Sequence, residues 1–465
     1  MIKYKSVPID KIGDVVTGRT PKTSDQTNYG TEFMFVGPTD LHKHFVIRET
    51  EKTISRKGLD SVKSSNLKGV SVLVGCIGWD MGNVALIEEK CVTNQQINSI
   101  TNVKPDHNPY YVYYWLKGKK DFLFQQASVT RTPILNKSTF SSIEIPVPER
   151  SYQDKVANIL SSLDSKIELN NRINAELEAM AKTIYDYWFV QFDFPISQEM
   201  ATQMGQPQLE GRPYKSSGGK MVYNEELKRD VPEGWGNYAL SEIGDIIGGS
   251  TPSKTKEEYF TTGGNEIPWI TPKDLSARKG KRFISYGECD VTEAGRKAAS
   301  LKLMPKGTVL LSSRAPVGYM AIAREAVTTN QGFKSLVPVE GFSTEYVFLT
   351  VKLYLPAIIK KASGSTFAEI SGSTLKTVEI AAPPQELIEK FTATVAPMFA
   401  KQDVLEQENQ ELASLRDWLL PMLMNGQVKV GEGKANKATY TAQQELDDLA
   451  GRMAAERREK YEVKE

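Results

Sequence analysis

Cysteine is scarce. Cys76, Cys91 and Cys289 are scattered through 465 residues with no Cys-x-x-Cys pair. That excludes a disulfide framework and a cysteine zinc site, and the three thiols read as small buried groups of a protein in a reducing cytoplasm. No run of eighteen apolar residues occurs, so no membrane-spanning helix is expected. The first thirty residues lack the basic start, apolar core and cleavage site of a secretory signal, so no secretory signal is expected and the expected location is the cytoplasm. Of the three histidines, His42 and His44 alternate as on a strand face and read as having no carboxylate or cysteine partner; no metal site is expected. A Gly-x-x-x-x-Gly-Lys-Ser/Thr loop is missing, which leaves ATP hydrolysis without support. So is a Gly-rich strand-to-helix turn for S-adenosylmethionine. Pro105-Asp106 begins like a nuclease carboxylate motif, but the next acid-x-Lys, Asp164-Ser-Lys166, falls inside a helical segment. The expectation is a chain with no catalytic residues.

Charge of one sign is also missing, since the net charge is only +1. Its distribution is uneven. Residues 1–149 hold 19 Lys+Arg against 15 Asp+Glu, and 237–383 hold 18 against 14, so each block carries +4 and the remaining segments together carry −7. Basic blocks on an acidic frame would orient the molecule on a phosphate backbone. An excess of this size also arises by chance, and both readings stay open.

What is present is a pair of long heptad segments. Leu160, Leu163, Ile167, Asn170, Asn174, Leu177, Ala181, Ile184 and Trp188 step at intervals of three and four, and so do Met398, Gln402, Leu405, Asn409, Leu412, Arg416, Leu419 and Leu423. That is coiled-coil spacing. The predicted helix-pair seam contains Leu163, Ile167, Asn174, Leu177 and Ile184 on one segment, and Leu405, Asn409, Leu412 and Leu419 on the other. Asn174 and Asn409 are placed at equivalent seam positions, where asparagine fixes register at a cost in stability; a solvated edge is the alternative. Each helix of about 27 residues would span ~40 Å. Pro397 predicts a short helix, a kink and a longer helix from about Met398.

Each heptad segment follows a block of roughly 145 residues, and the two blocks match. Ile12-Gly-Asp14 and Gly18-Arg-Thr-Pro21 correspond to Ile243-Gly-Asp245 and Gly249-Ser-Thr-Pro252. Phe35-Val-Gly-Pro-Thr-Asp-Leu41 corresponds to Trp269-Ile-Thr-Pro-Lys-Asp-Leu275, and Thr93-Asn-Gln95 to Thr329-Asn-Gln331. The offset stays at roughly 231 to 237 throughout. Short strands such as 70–74 and 308–311 alternate with few helices, at about 108–127 and 343–362, so each block is an α+β domain.

The predicted architecture is α+β: two similar globular domains, 1–149 and 237–383, joined by two long helices pairing as an antiparallel coiled coil with pseudo-twofold symmetry. Spacers cover 150–194 and 384–426. Residues 195–236, rich in Gly and Pro, are expected to be a loosely structured crossover. The polar tail 427–465 reads as a helix on a partner or as disordered.

Polar and basic residues at turn tips are the candidate contacts with DNA. In the first block these are Arg19, Thr20, Lys22, Lys43, Trp79, Asn83, Gln95, Gln96, Arg131 and Thr132. In the second they are Ser250, Thr251, Lys254, Lys273, Arg314, Tyr319, Asn330, Gln331, Lys360, Ser365 and Thr366. Arg and Lys suit guanine edges or phosphates, and Asn and Gln suit adenine edges. Turn hydrogen bonds account for any one of them equally well.

These same residues carry a resemblance. The duplicated Ile-Gly-Asp…Gly-x-Thr-Pro opening, Gly307-Thr-Val-Leu-Leu-Ser-Ser-Arg-Ala-Pro-Val-Gly318, Thr329-Asn-Gln331 and Ala362-Ser-Gly-Ser-Thr366 make the chain similar to the specificity subunits of type I restriction-modification enzymes. The second block is the closer match; the first departs at Gly75-Cys-Ile-Gly-Trp-Asp80 and at Ser128-Val-Thr-Arg-Thr132. The resemblance implies a phage-defence subunit in which two target recognition domains read the halves of a split, asymmetric DNA sequence, with the helices setting the unread gap. It further implies two modification subunits bringing S-adenosylmethionine and an adenine-flipping pocket, and two restriction subunits bringing ATP- and Mg-dependent translocation and cleavage. Asn108-Pro-Tyr-Tyr111 looks like the Asn-Pro-Pro-Tyr/Phe element of adenine methyltransferases but lacks its second proline, and reads as a helix-opening loop. Two alternatives remain at this point: a coiled-coil scaffold for two protein partners, and a stand-alone methyltransferase.

Overall fold

The apolar run Val72-Leu-Val74 has β-branched residues at alternate positions and no polar face, the pattern of a strand buried on both sides. The computed structural model describes residues 2–42, 44–129, 131–278, 280–314, 316–361 and 369–428, and makes that run the middle of a sheet. The chain divides into two compact units, residues 1–171 with those from 408 onward, and residues 172–407.

In the first unit, β1 (Asp14–Thr17), β2 (Val46–Ile47), β3 (Ser71–Gly75), β4 (Val84–Ile87) and β5 (Ile97–Thr101) lie in the order β1-β5-β3-β4-β2. Neighbours are antiparallel except β2 beside β4. Side chains alternate between two cores: Val72 and Val74 face Tyr111, Tyr114 and Leu160, while Leu73 faces Met34, Val36 and Leu67. In the second unit, β6 (Gly244–Gly248), β7 (Phe283–Ile284), β8 (Val309–Leu311), β9 (Met320–Ala323) and β10 (Lys334–Pro338) repeat the arrangement as β6-β10-β8-β9-β7. Again only the edge strand, β7 beside β9, is parallel.

Two long helices run through both units: α1 (Arg150–Tyr185), closed by a wider turn at Asp186–Val190, and α2 (Gln385–Met424). Within the first unit they are antiparallel, with the Tyr152 hydroxyl donating to Leu423 O at 3.2 Å, Arg416 Nη1 to Asp164 Oδ1 at 2.6 Å and Asn409 Nδ2 to Asn171 Oδ1 at 3.0 Å. The second unit shows the same sense, with Gln402 Nε2 donating to Asn174 O at 2.7 Å and the Tyr185 and Phe391 rings 5.7 Å apart.

Several expectations need correction. The helices have 36 and 40 residues, about 54 and 60 Å at 1.5 Å per residue, because helical bonding begins well before the heptads. Helix α2 is continuous through Pro397; the ring faces outward while Val395, Met398 and Phe399 are held in the core. The Asn409 side chain meets Asn170 and Asn171, not Asn174, whose backbone carbonyl instead receives Gln402. Of the predicted seam in α1, Leu160, Asn170, Leu177 and Ala181 are buried, while Leu163, Ile167, Asn174 and Ile184 are only half-buried; Asp164, Ile173 and Tyr185 are buried beside them. A straight helix of 3.6 residues per turn drifts off a strict heptad, and here a wide face of α1 is covered by the domains.

The predicted helix at 108–127 is two, Pro109–Lys117 and Lys120–Gln125, separated at Gly118, whereas Thr344–Lys360 is one helix with Pro356 inside it. Residues 195–236 are not loose. They contain a helix, Gln198–Gln203, and a hairpin, Met221–Asn224 with Arg229–Pro232. The Phe194 ring stacks on Tyr214 at 4.7 Å and on Trp235 at 5.5 Å, and Arg229 lies over Phe192 at 4.5 Å. The aromatics that build this core are too irregularly spaced to show a period. Cys76 and Cys91 are buried, which pushes each thiol up to about 12, and Cys289 is half-buried. Among the described residues no helix is long and apolar enough to cross a membrane. Of the predicted tail, residues 429–465 lie outside the described residues.

Candidate nucleic-acid interface

Strand register decides which loops share an end of each sheet. In the first unit Thr17 pairs with Asn98, Ile97 with Gly75, and Val74 with Val84. The segments 18–22, 94–96 and 76–83 therefore emerge together, bringing Arg19, Thr20, Lys22, Trp79, Asn83, Gln95 and Gln96 to one end. Ile77 bridges to Ile134, which adds the hairpin bearing Arg131 and Thr132. In the second unit Gly248 pairs with Lys334 and Leu311 with Met320, gathering Ser250, Thr251, Lys254, Arg314, Tyr319, Asn330 and Gln331. Lys273 follows the strand paired through Ile270 to Thr329, and Lys360 ends the helix whose Leu355 and Ile359 lie against Gly318. Lys43, Ser365 and Thr366 lie outside the described residues.

The Gly-x-Thr-Pro turn is built alike in both units. A Cβ on Gly18 would lie 2.0 Å from Asn94 O, and one on Gly249 would lie 2.1 Å from Asn330 O, so only glycine permits this approach. Thr20 Oγ1 donates to Gln95 Oε1 at 2.5 Å, and Thr251 donates to Gln331 in the same way. Asn94 and Asn330 each accept, through Oδ1, the N–H two residues on, at 2.9 Å. Asn330 thus uses its side-chain oxygen to shape the turn, and so does Asn94. Arg19, Lys22, Lys254 and Gln95 are exposed beside it.

Other candidates are engaged. Lys273 pairs with Glu288 at 2.6 Å and Arg314 with Glu369 at 2.9 Å. Asn83 donates to Asp80 O at 2.5 Å and accepts from Lys120 Nζ at 3.0 Å. Tyr319 packs against the core. His42 ends a short 3-10 turn rather than lying on a strand, and Asp80, which sequence reading did not connect to it, stands 3.1 Å from its Nε2. Among the described residues no cluster of His, Cys, Asp and Glu is arranged to hold a metal. Asn108 caps the helix Pro109–Lys117, its Oδ1 accepting from Tyr110 N at 2.8 Å and Tyr111 N at 3.3 Å. Asp164, the other motif candidate, is buried under the Tyr114 hydroxyl and Arg416.

One pair of residues escaped sequence reading altogether. Glu168 Oε1 on α1 accepts from Phe45 N at 3.0 Å and Val46 N at 3.2 Å, at the start of β2. Glu406 on α2 accepts from Arg282 N at 2.7 Å and Phe283 N at 3.1 Å, at the start of β7. Each carboxylate ties the edge strand of the five-stranded sheet to a long helix of its own unit. The two glutamates are 238 residues apart, as are Asn171 and Asn409, so Asn171 and not Asn174 is the counterpart of Asn409. A glutamate inside a charged heptad segment carries no signal of such a role.

The family model described as "Type I restriction modification DNA specificity domain" matches residues 1–179 and 232–413. The type I restriction enzyme MjaIX specificity subunit of Methanocaldococcus jannaschii is 43% identical over 200 residues, which are 42% of this chain and 44% of that relative, so the match spans less than half of the relative's length. The HindI specificity subunit of Haemophilus influenzae is 30% identical over 350 residues, 66% of this chain and 74% of the relative. A crystal structure of the type I restriction-modification S subunit from M. genitalium superposes with a TM-score of 0.56 at 16% identity, covering 91% of this chain and 96% of that one.

Proposed function

Because this chain belongs to the type I restriction modification DNA specificity family, we propose that it is the DNA-reading subunit of a type I restriction-modification enzyme and carries out no reaction itself. Residues 1–149 and 237–383 each read one half of a split, asymmetric target, and the helices at 150–194 and 384–426 set the unread gap. The observation that carries this reading is the duplicated sheet with its loop tips gathered at one end, alike in the Gly-x-Thr-Pro turn and different elsewhere. Loops on a rigid sheet can enter a groove, with Arg and Lys for phosphates and guanine edges and Gln for adenine edges. In the cell the subunit works in the cytoplasm. Two modification subunits bring S-adenosylmethionine, and two restriction subunits bring ATP- and Mg-dependent cleavage.

Selection from random duplex DNA by the full chain with its modification partner tests the reading. Enrichment of one split motif is the expected result, and salt-sensitive binding without enrichment would leave only a scaffold. The spacer has its own test. Inserting four residues after Asn171 and after Gln407, where the two units divide, adds ~6 Å of rise to each helix. The gap should lengthen by about one to two base pairs of 3.4 Å with both half-sites unchanged; an altered half-site with the original gap would refute the role.

A further inference from the structure

Trp79 is the most exposed of the described large hydrophobic residues, at 71%. It stands on the tip between β3 and β4, between Gly78 and Gly82, both with positive φ (105° and 90°). Beneath it the tip is stapled. Lys120 Nζ donates to Asp80 Oδ1 at 2.6 Å and to Asn83 Oδ1 at 3.0 Å, His42 Nε2 lies 3.1 Å from Asp80 Oδ2, and Met81 is buried in the core. A Cβ on Gly82 would come within 2.8 Å of Lys120, so the turn is seated tightly on the helix below. A side chain of this size ordinarily gains by burial, yet here a rigid turn holds it out in water, with the Phe124 ring 6.2 Å away on one side.

The second unit handles the same place differently. Ile77 and Arg314 are counterparts, since each forms the bridge out of the third sheet strand, to Ile134 and to Glu369. By that offset Pro316 stands where Trp79 does, and the loop displays the Arg314–Glu369 ion pair instead of a ring. A feature common to both units, such as the Thr20–Gln95 contact and its repeat, cannot tell two different half-sites apart. This tip can. Lys120 and His42 are engaged by Asp80, which leaves the aromatic ring as what the tip presents, and a ring suits a base edge better than a phosphate. In the major groove the one apolar group on a base edge is the thymine C5 methyl.

We propose that Trp79 is a specificity-determining residue that lays its ring against a thymine methyl at one position of the half-site read by the first unit. The proposal rests on the DNA-reading function above. Its test is motif selection by the full chain in its methyltransferase complex, wild type beside Trp79→Ala and Trp79→Phe. The alanine variant should lose preference at one position of one half-site, with the gap and the other half-site kept, and the phenylalanine variant should retain a weaker preference. Replacing that thymine by uracil, which lacks the methyl, should weaken wild-type binding about fourfold and leave Trp79→Ala binding unaltered. A Trp79→Ala complex that selects the wild-type motif overturns the proposal while the DNA-reading function stands, and so does one that keeps the motif but releases its methyltransferase subunits. A wild-type chain that selects no split motif overturns both.

Discussion

Glu168 and Glu406 do the same job with different electrostatics. Burial pushes both carboxyls above their ordinary value, against the pull of the N–H groups they accept from. A carboxyl raised in the folded state binds its proton more tightly there than in the unfolded chain. Its stabilising contribution is therefore present below the ordinary value of 4.5 and is lost as pH rises through the folded value. Both bonds to Glu168 end on one oxygen, so Glu168→Gln should keep them, unfold near the wild-type temperature, and flatten the fall in stability above pH 4.5 when melting is followed against pH. Glu406 divides its bonds between two oxygens, and its Oε2 also receives the buried Arg324 at 3.2 Å. Glu406→Gln has one acceptor where two are used, so its NH2 must face either Arg282 N or the Phe283 N and Arg324 pair, and the change should cost about 3 kcal/mol in denaturant unfolding; equal behaviour of the two variants would contradict this account.

At the scale of the element, α2 tolerates a proline that its spacing suggested would break it. Pro397 removes one helical hydrogen bond and crowds the carbonyl of Ala393, while Val395, Met398, Phe399 and Gln402 are all buried on the packed face. Burial of that face outweighs the local cost and keeps forty residues in one helix. Pro397→Ala should then stabilise the chain by about 1–3 kcal/mol, read as a higher midpoint in calorimetry. An unchanged midpoint would mean that the helix has already relaxed around the ring. The same packing explains the seam of α1. Asp164 replaces Leu163 on the buried face because Arg416, Lys117 and the Tyr114 hydroxyl surround it there, a set of partners contributed by two helices, α2 and Pro109–Lys117.

At the scale of the molecule, the second unit has its own core and its own attachment to the helices. Arg324 reaches Asp403 and Glu406, and Arg282 lies 4.1 Å over the Phe399 ring. Exchanging residues 237–383 for the matching block of a relative should change one half-site and leave the other and the gap intact, as read by motif selection. Blocks without a cation at the position of Arg324 should fail to fold, because Asp403 and Glu406 would be left without its charge against the domain. A changed first half-site would show that the two readers are coupled.

Duplication, two α+β domains and two long helices were legible in the residues alone, because apolar period and repeated turn motifs are local properties of a chain. The gathering of reading loops was half legible. Gly18, Thr20 and Gln95 with their repeats marked the turn, but nothing in the order of residues said that His42, Asp80 and Lys120 would meet beneath Trp79. The aromatic core under residues 195–236 and the carboxylate ties at Glu168 and Glu406 came only with the tertiary structure. Each joins groups far apart in sequence, and their pairing is decided by burial and by the need of buried N–H groups and charges for partners, which no local pattern records.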